Sequence, residues 1–429
     1  MSAPPLRSLP LLRSLAMMWC SVGLLCVVAV ADAPVVDGDA KPSREAIEAA
    51  DRFDWQRSPT PPVVDGPSDE EILDSVIRGV EFLLADQNPN GSWGSATRTK
   101  SLNIYAPVPG AHHAFRTGTT SLAIAGLLET YRHLPEGDAQ SDLKSRVRES
   151  LTRAEAWLVE DLPRLRRAGG DALYNVWGHG YSIEAMTQLY RWHEGSPEKQ
   201  AQLTAMIQTQ FEMLQRYESV DGGWGYYDFR YQADQPTSSS TSFVNGAVLV
   251  ALASARDIGI EPPARMVERA IRALRRQRKP DFSYLYSENL RTQPMRSINR
   301  PGGSLGRSQC CNAALRLWGD DAITDNVIQV WLCRLYLRNG WLDIGRKRPI
   351  PHEAWMQVAG YFYYFGHYYA AVGMDLLPAG EIDPYQAMLA KLMLDRQEAD
   401  GSWWDYPLYD YHQPYGTGFA LLTLASCLE

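Results

Sequence analysis

From Ser68 onward the apolar residues Leu73, Val76, Ile77, Val80, Leu83 and Leu84 recur three and four apart, which marks one stripe of an amphipathic helix. Ser68 and Glu71 form a capping box at its start. The stripe stops at Gln87, and the chain then runs Asn-Pro-Asn-Gly-Ser-Trp. Gly91 predicts a chain reversal there, since glycine takes positive φ at little cost. Gln87 and Trp93 are expected to hydrogen-bond and pack onto a neighbouring unit. A second kind of helix follows, "TGTTSLAIAGLLETYR" from Thr117, small and apolar on all sides and suited to close packing against several neighbours.

This pairing returns along the chain. Helices of the second kind are predicted from Gly178, Ser240, Ser308, Tyr361 and Tyr415, and helices of the first kind over Leu151–Val159, Met206–Tyr217, Met266–Gln277, Val327–Leu337 and Tyr385–Gln397. Six helical pairs at a spacing of about 50 to 70 residues form a repeat architecture in which no unit hides its own apolar face. No period-2 strand pattern bounded by hairpin turns interrupts them, so the fold class is all-α.

The phrase Arg78-Gly79, Phe82-Leu83, Gln87, Gly91, Trp93 resembles the QW repeat of squalene-hopene and oxidosqualene cyclases, and "AMLAKLMLDRQEADGSW", ending at Trp403, is a second copy. "VDGGWGYYDF" from Val220 is similar to another cyclase segment, and weaker copies end near Trp177, Phe282 and Leu342. The resemblance covers residues 70 to 429. It implies the (α/α)6 toroid shared by terpenoid cyclases and the β subunits of protein prenyltransferases. Six second-kind helices would form an inner ring whose apolar centre is the reaction chamber, suited to an isoprenoid-like or amphipathic small molecule.

Composition narrows this picture. With 45% hydrophobic and 21% charged residues, 13 Trp and 22 Tyr, the chain is globular and rich in aromatics. A net charge of -8 argues against a nucleic-acid partner, and the run Arg265, Arg269, Arg272, Arg275, Arg276, Arg278 reads as the solvated face of a helix. At the N-terminus, Arg7 and Arg13 precede an apolar stretch from Leu15 to Val30 and then Ala31-Asp32-Ala33. That order predicts a signal peptide over 1–33 and export to a periplasmic or extracellular location. Residues 34–67 read as a Pro-rich extended linker with one short helix at 43–53, and 68–429 as the toroid. No later stretch is long and apolar enough to cross a membrane. Four cysteines remain after the leader, too few for a disulfide framework in a chain this large.

The standard chemistry of the resembled families is incomplete. Where cyclases carry Asp-x-Asp-Asp, this chain reads "QPTSSSTSFVNG" over 235–246, with Asp228 and Asp234 the nearest carboxylates. Asp320, Asp321 and Asp325 in "GDDAITD" sit between two helices, where aspartates cap first turns. Prenyltransferases hold zinc with Asp, Cys and His. Cys310 or Cys311 and His367 occupy roughly that order, the Asp has no counterpart, and neither a metal nor another cofactor is expected. No G-x-S-x-G, P-loop or H-E-x-x-H phrase occurs.

As catalytic candidates the sequence offers His179, Asp228, Cys311 and His367, which would converge at the ring mouth from four repeats. Trp177, Tyr181, Tyr363, Tyr364 and Tyr368 are the candidate ligand wall, able to meet cations or sugars with their faces. Two rival functions stand beside the small-molecule site. One is a scaffold that recognises a protein or glycan partner. The other is a carbohydrate-active toroid, with a Tyr or His base in an open groove.

Overall fold

In a computed structural model of the chain the described residues are 58–100, 109–135, 138–228, 234–237 and 239–428. The predicted signal peptide, the short helix at 43–53 and most of the linker lie outside them. Residues 58–67 run without helix, and Ser58 reaches Asn326 at 2.9 Å.

Among the described residues the molecule is built from α-helices, with short 3-10 turns and isolated bridges but no strand. The outer helices are α1 (Asp69–Asp86), α3 (Asp138–Asp161), α5 (Pro197–Arg216), α7 (Ala264–Gln277), α9 (Asp325–Leu337) and α12 (Asp383–Leu394). The inner ones are α2 (Pro109–Tyr131), α4 (Asn175–Trp192), α6 (Ser242–Asp257), α8 (Leu305–Leu317), α11 (Tyr363–Met374) and α13 (His412–Ala425), and α10 (Gly340–Asp343) is a single turn between pairs. Each inner helix packs on the next in the order α2, α4, α6, α8, α11, α13, and α13 packs back on α2, so the ring is closed. Six hairpins around a closed inner ring make the (α/α)6 toroid.

The two kinds of helix bury themselves as their patterns predict. α1 begins at the Ser68 capping box, with Glu71 N 3.3 Å from Ser68 Oγ and Ser68 N 2.8 Å from Glu71 Oε2, and buries one stripe, Ile72, Ser75, Val76, Gly79, Val80 and Leu83. α6 buries every residue from Ser242 to Ala253. At the closing contact of the ring, a Cβ on Gly126 would meet the Gly418 carbonyl oxygen at 3.0 Å and one on Gly418 would meet Leu122 backbone at 2.9 Å, so α2 and α13 approach as closely as backbones allow.

The turn after the first helix is a repeated object. Asn88 N bonds to Ser92 O and Gly91 N to Asn88 O, and the same pair of bonds recurs over 219–223, 279–283 and 398–402. Gly91, Gly222 and Gly401 hold φ of +91°, +95° and +87°, while Phe282 takes the same place at +56°. Gln87 Nε2 donates to Ser150 O of α3 at 3.0 Å, as expected of a bond to the next unit. Trp93 differs from expectation, since its indole N–H returns to Leu83 O of its own helix at 2.8 Å; Trp224 and Trp403 do the same to Leu214 O and Met393 O. The indole thereby bonds to a carbonyl in the last turn of its own helix, where the helix pattern of backbone bonds runs out. Trp177 and Leu342, near which weaker copies were expected, lie instead inside α4 and α10, because those connections fold as helical turns.

The arginines of α7 form ion pairs rather than an anion patch: Arg269 with Glu218 at 2.6 Å, Arg275 with Asp320 at 2.7 Å and Arg276 with Glu288 at 3.1 Å.

The turns make a direct prediction. A Cβ on Gly401 would stand 2.5 Å from Arg78 O, whereas one on Gly195, at a similar φ of +83°, meets nothing within 4 Å. Gly195→Ala is expected to cost about 1 to 2 kcal/mol of unfolding free energy for the left-handed backbone alone. Gly401→Ala adds a backbone collision and is expected to cost at least about twice that. Urea unfolding of the two variants measures the difference, and equal losses would remove the collision from the account.

Candidate ligand cavity

A cavity of about 420 Å³ opens where the inner helices begin. Phe115 and Gly118 of α2, Trp177 and Tyr181 of α4, Phe243 of α6, Phe365 of α11 and Tyr415 of α13 face it, joined by residues of the connecting segments. Of 22 described lining residues, 14 are Phe, Tyr or Trp, so a molecule inside meets ring faces and edges on nearly every side.

The repeated turn explains several of them. Burying Trp224, Tyr284 and Trp403 fixes the chain direction beyond each turn, and the residue two further on, Tyr226, Tyr286 or Asp405, lines the cavity. In the first repeat that place is Ser95, which bonds to Asp410 at 2.8 Å. These three side chains add polar groups to the wall: the Tyr226 and Tyr286 hydroxyls hydrogen-bond each other, and Asp405 is the one carboxyl among the described lining residues.

Asp405 is buried, and its environment decides its state. Burial drives its carboxyl up to about 7, partly offset by the Tyr364 backbone N–H, 3.1 Å from Oδ2, and by the nearby Arg346 charge. A carboxyl held there is a proton donor and acceptor at neutral pH.

The resemblance placed the chamber in the centre of the ring, whereas the cavity occupies one end. Large rings meet across the axis beneath it: Trp177 with Phe365 at 6.3 Å, Phe243 with Phe365 at 5.9 Å and Tyr181 with Phe419 at 5.8 Å. Tyr368 of α11 donates to Glu184 of α4 on the far side of the ring. Burial, with the Glu129 charge, lifts Glu184 to about 8, so it stays neutral at physiological pH.

The four catalytic candidates do not converge. His179 stacks on Tyr217, with Nδ1 2.8 Å from Gln210 Oε1, and burial lowers its basicity to about 4. Asp228 lies 3.4 Å from Arg167 and from Thr237 Oγ1. Cys311 is fully buried in α8, its thiol pushed up by burial. His367 sits between Asn339 at 2.8 Å and the Tyr363 carbonyl at 2.7 Å, with burial lowering it to about 4. None of the four lines the cavity.

Of the candidate wall, Trp177 and Tyr181 line it, stacked 5.5 Å apart. Tyr363, Tyr364 and Tyr368 turn away, to Asn339, the Arg396 carbonyl and Glu184. α11 presents Phe365 to the cavity, Tyr363 and Tyr364, two and one positions before it, point elsewhere, and Tyr368, one turn on, reaches across the ring below the cavity. Asp405, His352, Tyr361, Tyr226 and Tyr286 were missed. The register of the repeated turn held the signal for three of them, two places beyond each buried aromatic.

No protein-family model matches the chain, and no curated protein matches it. Solved structures resemble it at low identity. A type II terpene cyclase from Scytonema has 15% identity over 84% of this chain and 98% of its own, with a TM-score of 0.43. A family 76 glycoside hydrolase from a bovine Bacteroides thetaiotaomicron strain has 11% identity over 83% and 77%, with a TM-score of 0.46. A family 88 glycosyl hydrolase from Bacteroides vulgatus has 10% identity over 84% and 99%, with a TM-score of 0.48. The closed helix order described above makes the fold an (α/α)6 toroid. These likenesses say nothing of its chemistry.

The buried acid predicts a pH response. The native state keeps a proton on Asp405 up to about 7, against an ordinary 3.8, so its contribution is full below the ordinary value and is lost as pH rises through about 7. Between pH 5 and 8 the wild type should lose roughly 3 kcal/mol more stability than Asp405→Asn, which has no such proton to lose. Denaturant midpoints at the two pH values test this; parallel profiles would mean that Asp405 is ionised throughout.

Proposed function

We propose that this is an exported toroid that takes an elongated apolar or amphipathic small molecule into the aromatic cavity, with its polar end beside Asp405. The observation that carries the reading is the wall itself, 14 aromatic residues around one carboxyl among the described lining residues. Its volume of about 420 Å³ falls in the range of small-molecule sites, about 300–1,000 Å³. Burial of an apolar body against such a wall supplies affinity, and the neutral carboxyl orients a hydroxyl or carbonyl at the polar end. The basic-then-apolar order of the first 33 residues supports export.

A carbohydrate-active reading draws on the same hydroxyl-bearing rings, since tyrosine faces stack on sugars as well as on hydrocarbons. Hydrolysis by paired carboxylates needs a second acid across the scissile bond, and Asp405 is alone among the described lining residues. The scaffold reading, with a protein or glycan partner on the outer loops, makes no use of the cavity.

Gly118 gives the test. A Cβ there would meet only Tyr181, at an ordinary 3.5 Å, so Gly118→Ala leaves the cavity open while Gly118→Trp fills it. Fluorescence titration with the neutral probe N-phenyl-1-naphthylamine is expected to show saturable binding that survives Gly118→Ala and weakens at least about tenfold, or 1.4 kcal/mol, in Gly118→Trp. Equal affinity in all three proteins would put the probe elsewhere and sink the reading. Binding of a neutral oligosaccharide, blocked by the same substitution, would favour the carbohydrate reading instead.

A further inference from the structure

The segment between α10 and α11 holds side chains that the reading above leaves unused. Lys347, His352, Met356 and Gln357, none of them glycine, sit there at φ of +63°, +64°, +61° and +56°. Backbone of this kind persists only where its surroundings hold it, and it clusters at working sites. Here it brings His352 to the cavity wall beside Tyr361.

The hydrogen bonds fix the state of the imidazole. Its Nδ1 lies 2.7 Å from the Gln357 carbonyl oxygen, which only accepts, so Nδ1 carries the proton and Nε2 is left with its lone pair. The Tyr361 hydroxyl donates to that lone pair at 3.1 Å. Gln357 is itself held, its Oε1 3.4 Å from Arg296 Nε. A hydroxyl, an imidazole that can take its proton, and a carbonyl that sets the tautomer form the same series of roles found where an enzyme activates a side-chain oxygen.

The neighbours decide when the pair works. Burial lowers the basicity of His352, the Arg307 and Arg296 charges lower it further, and the Gln357 bond opposes them, so the ring is neutral and ready to accept at neutral pH. Burial and the Tyr286 and Tyr226 hydroxyls raise Tyr361, which disfavours a free phenolate. Its proton therefore leaves only as the oxygen gains another partner.

We propose that Tyr361 and His352 are a proton-accepting pair on the cavity wall, serving an apolar or amphipathic substrate that carries an acidic O–H or C–H bond. The Tyr361 oxygen takes the substrate proton as its own passes to His352 Nε2, which leaves an imidazolium and a substrate anion and requires no oxidant or reductant. The inference rests on the reading that the cavity admits such a molecule.

Phenylmethanesulfonyl fluoride tests the same coupling on the full chain. The Tyr361 oxygen bonds to sulfur, the S–F bond breaks, fluoride leaves and the phenol proton goes to His352. Peptide mass spectrometry is expected to find the adduct on Tyr361, absent in Tyr361→Phe and formed about 10²-fold more slowly in His352→Asn. Asparagine is chosen because it tolerates positive φ. In the unaltered protein the rate should fall with acidification at a pH below the ordinary histidine value of about 6.5. A rate that does not fall on acidification while the chain stays folded, an adduct on another residue, or an unchanged rate in His352→Asn overturns the pair. Calorimetry with the unreactive phenylmethanesulfonamide separates the two claims. Binding of the amide without a Tyr361 adduct from the fluoride defeats the pair and leaves the cavity reading standing, whereas no binding and no adduct defeat both.

Discussion

The ring depends on a backbone contact made at a glycine. Gly91, Gly222 and Gly401 each bring a turn so close to the following outer helix that a Cβ would fall 2.3, 2.6 and 2.5 Å from the carbonyl oxygens of Arg153, Arg269 and Arg78. Only a residue without a side chain, at a φ that others avoid, can sit there. The first two contacts join α1 to α3 and α5 to α7. The third joins α12 to α1, and with Gln397 bonded to Ser75 in both directions at 2.9 Å it closes the outer layer. The turn at Phe282 makes its joint differently, through the Trp331 indole on the Asp281 carbonyl at 3.2 Å.

Once the outer layer is closed, the inner helices are held near one axis and their large side chains have one another to pack against. Trp177, Phe243, Phe365 and Phe419 fill the middle, and the space that remains is the cavity at the end where the inner helices start. Apolar enclosure then sets the chemistry of the few acids inside. Burial outweighs the Tyr364 N–H and the Arg346 charge at Asp405 and acts with the Glu129 charge at Glu184, so the two hold their protons to about 7 and about 8. One constraint thus runs from glycine, through packing, to proton affinity.

The helices were legible because each kind announces its surroundings: the stripe of α1 has one neighbour layer, and the small, apolar α6 is surrounded. The capping box at Ser68 and the Gln87 bond to the next unit were legible for the same reason, since both are local chemistry at short spacing. The site was not. His179 and His367 were chosen as reactive types on inner helices, yet each faces a hydrogen-bonding neighbour behind the ring, Gln210 and Asn339. Which face of a surrounded helix looks inward is not written in its composition, because every face is apolar. Tyr363 and Tyr364 turn from the cavity, Tyr368 reaches across the ring to Glu184 instead, and Phe365, which was not among the candidates, lines the cavity. His352 and Tyr361 meet only through a loop whose course depends on four left-handed residues of no shared type.

The joint between Ser75 and Gln397 spans 322 residues of chain. During synthesis at about 5–20 residues per second, the carbonyl of Arg78 therefore waits roughly 15 to 60 seconds for the glycine that covers it. An open solenoid can add or lose a terminal unit with loss of one interface. Here the first and last units share an interface, so neither is a free end, and the chain acquires its full cooperativity only when its C-terminal residues arrive.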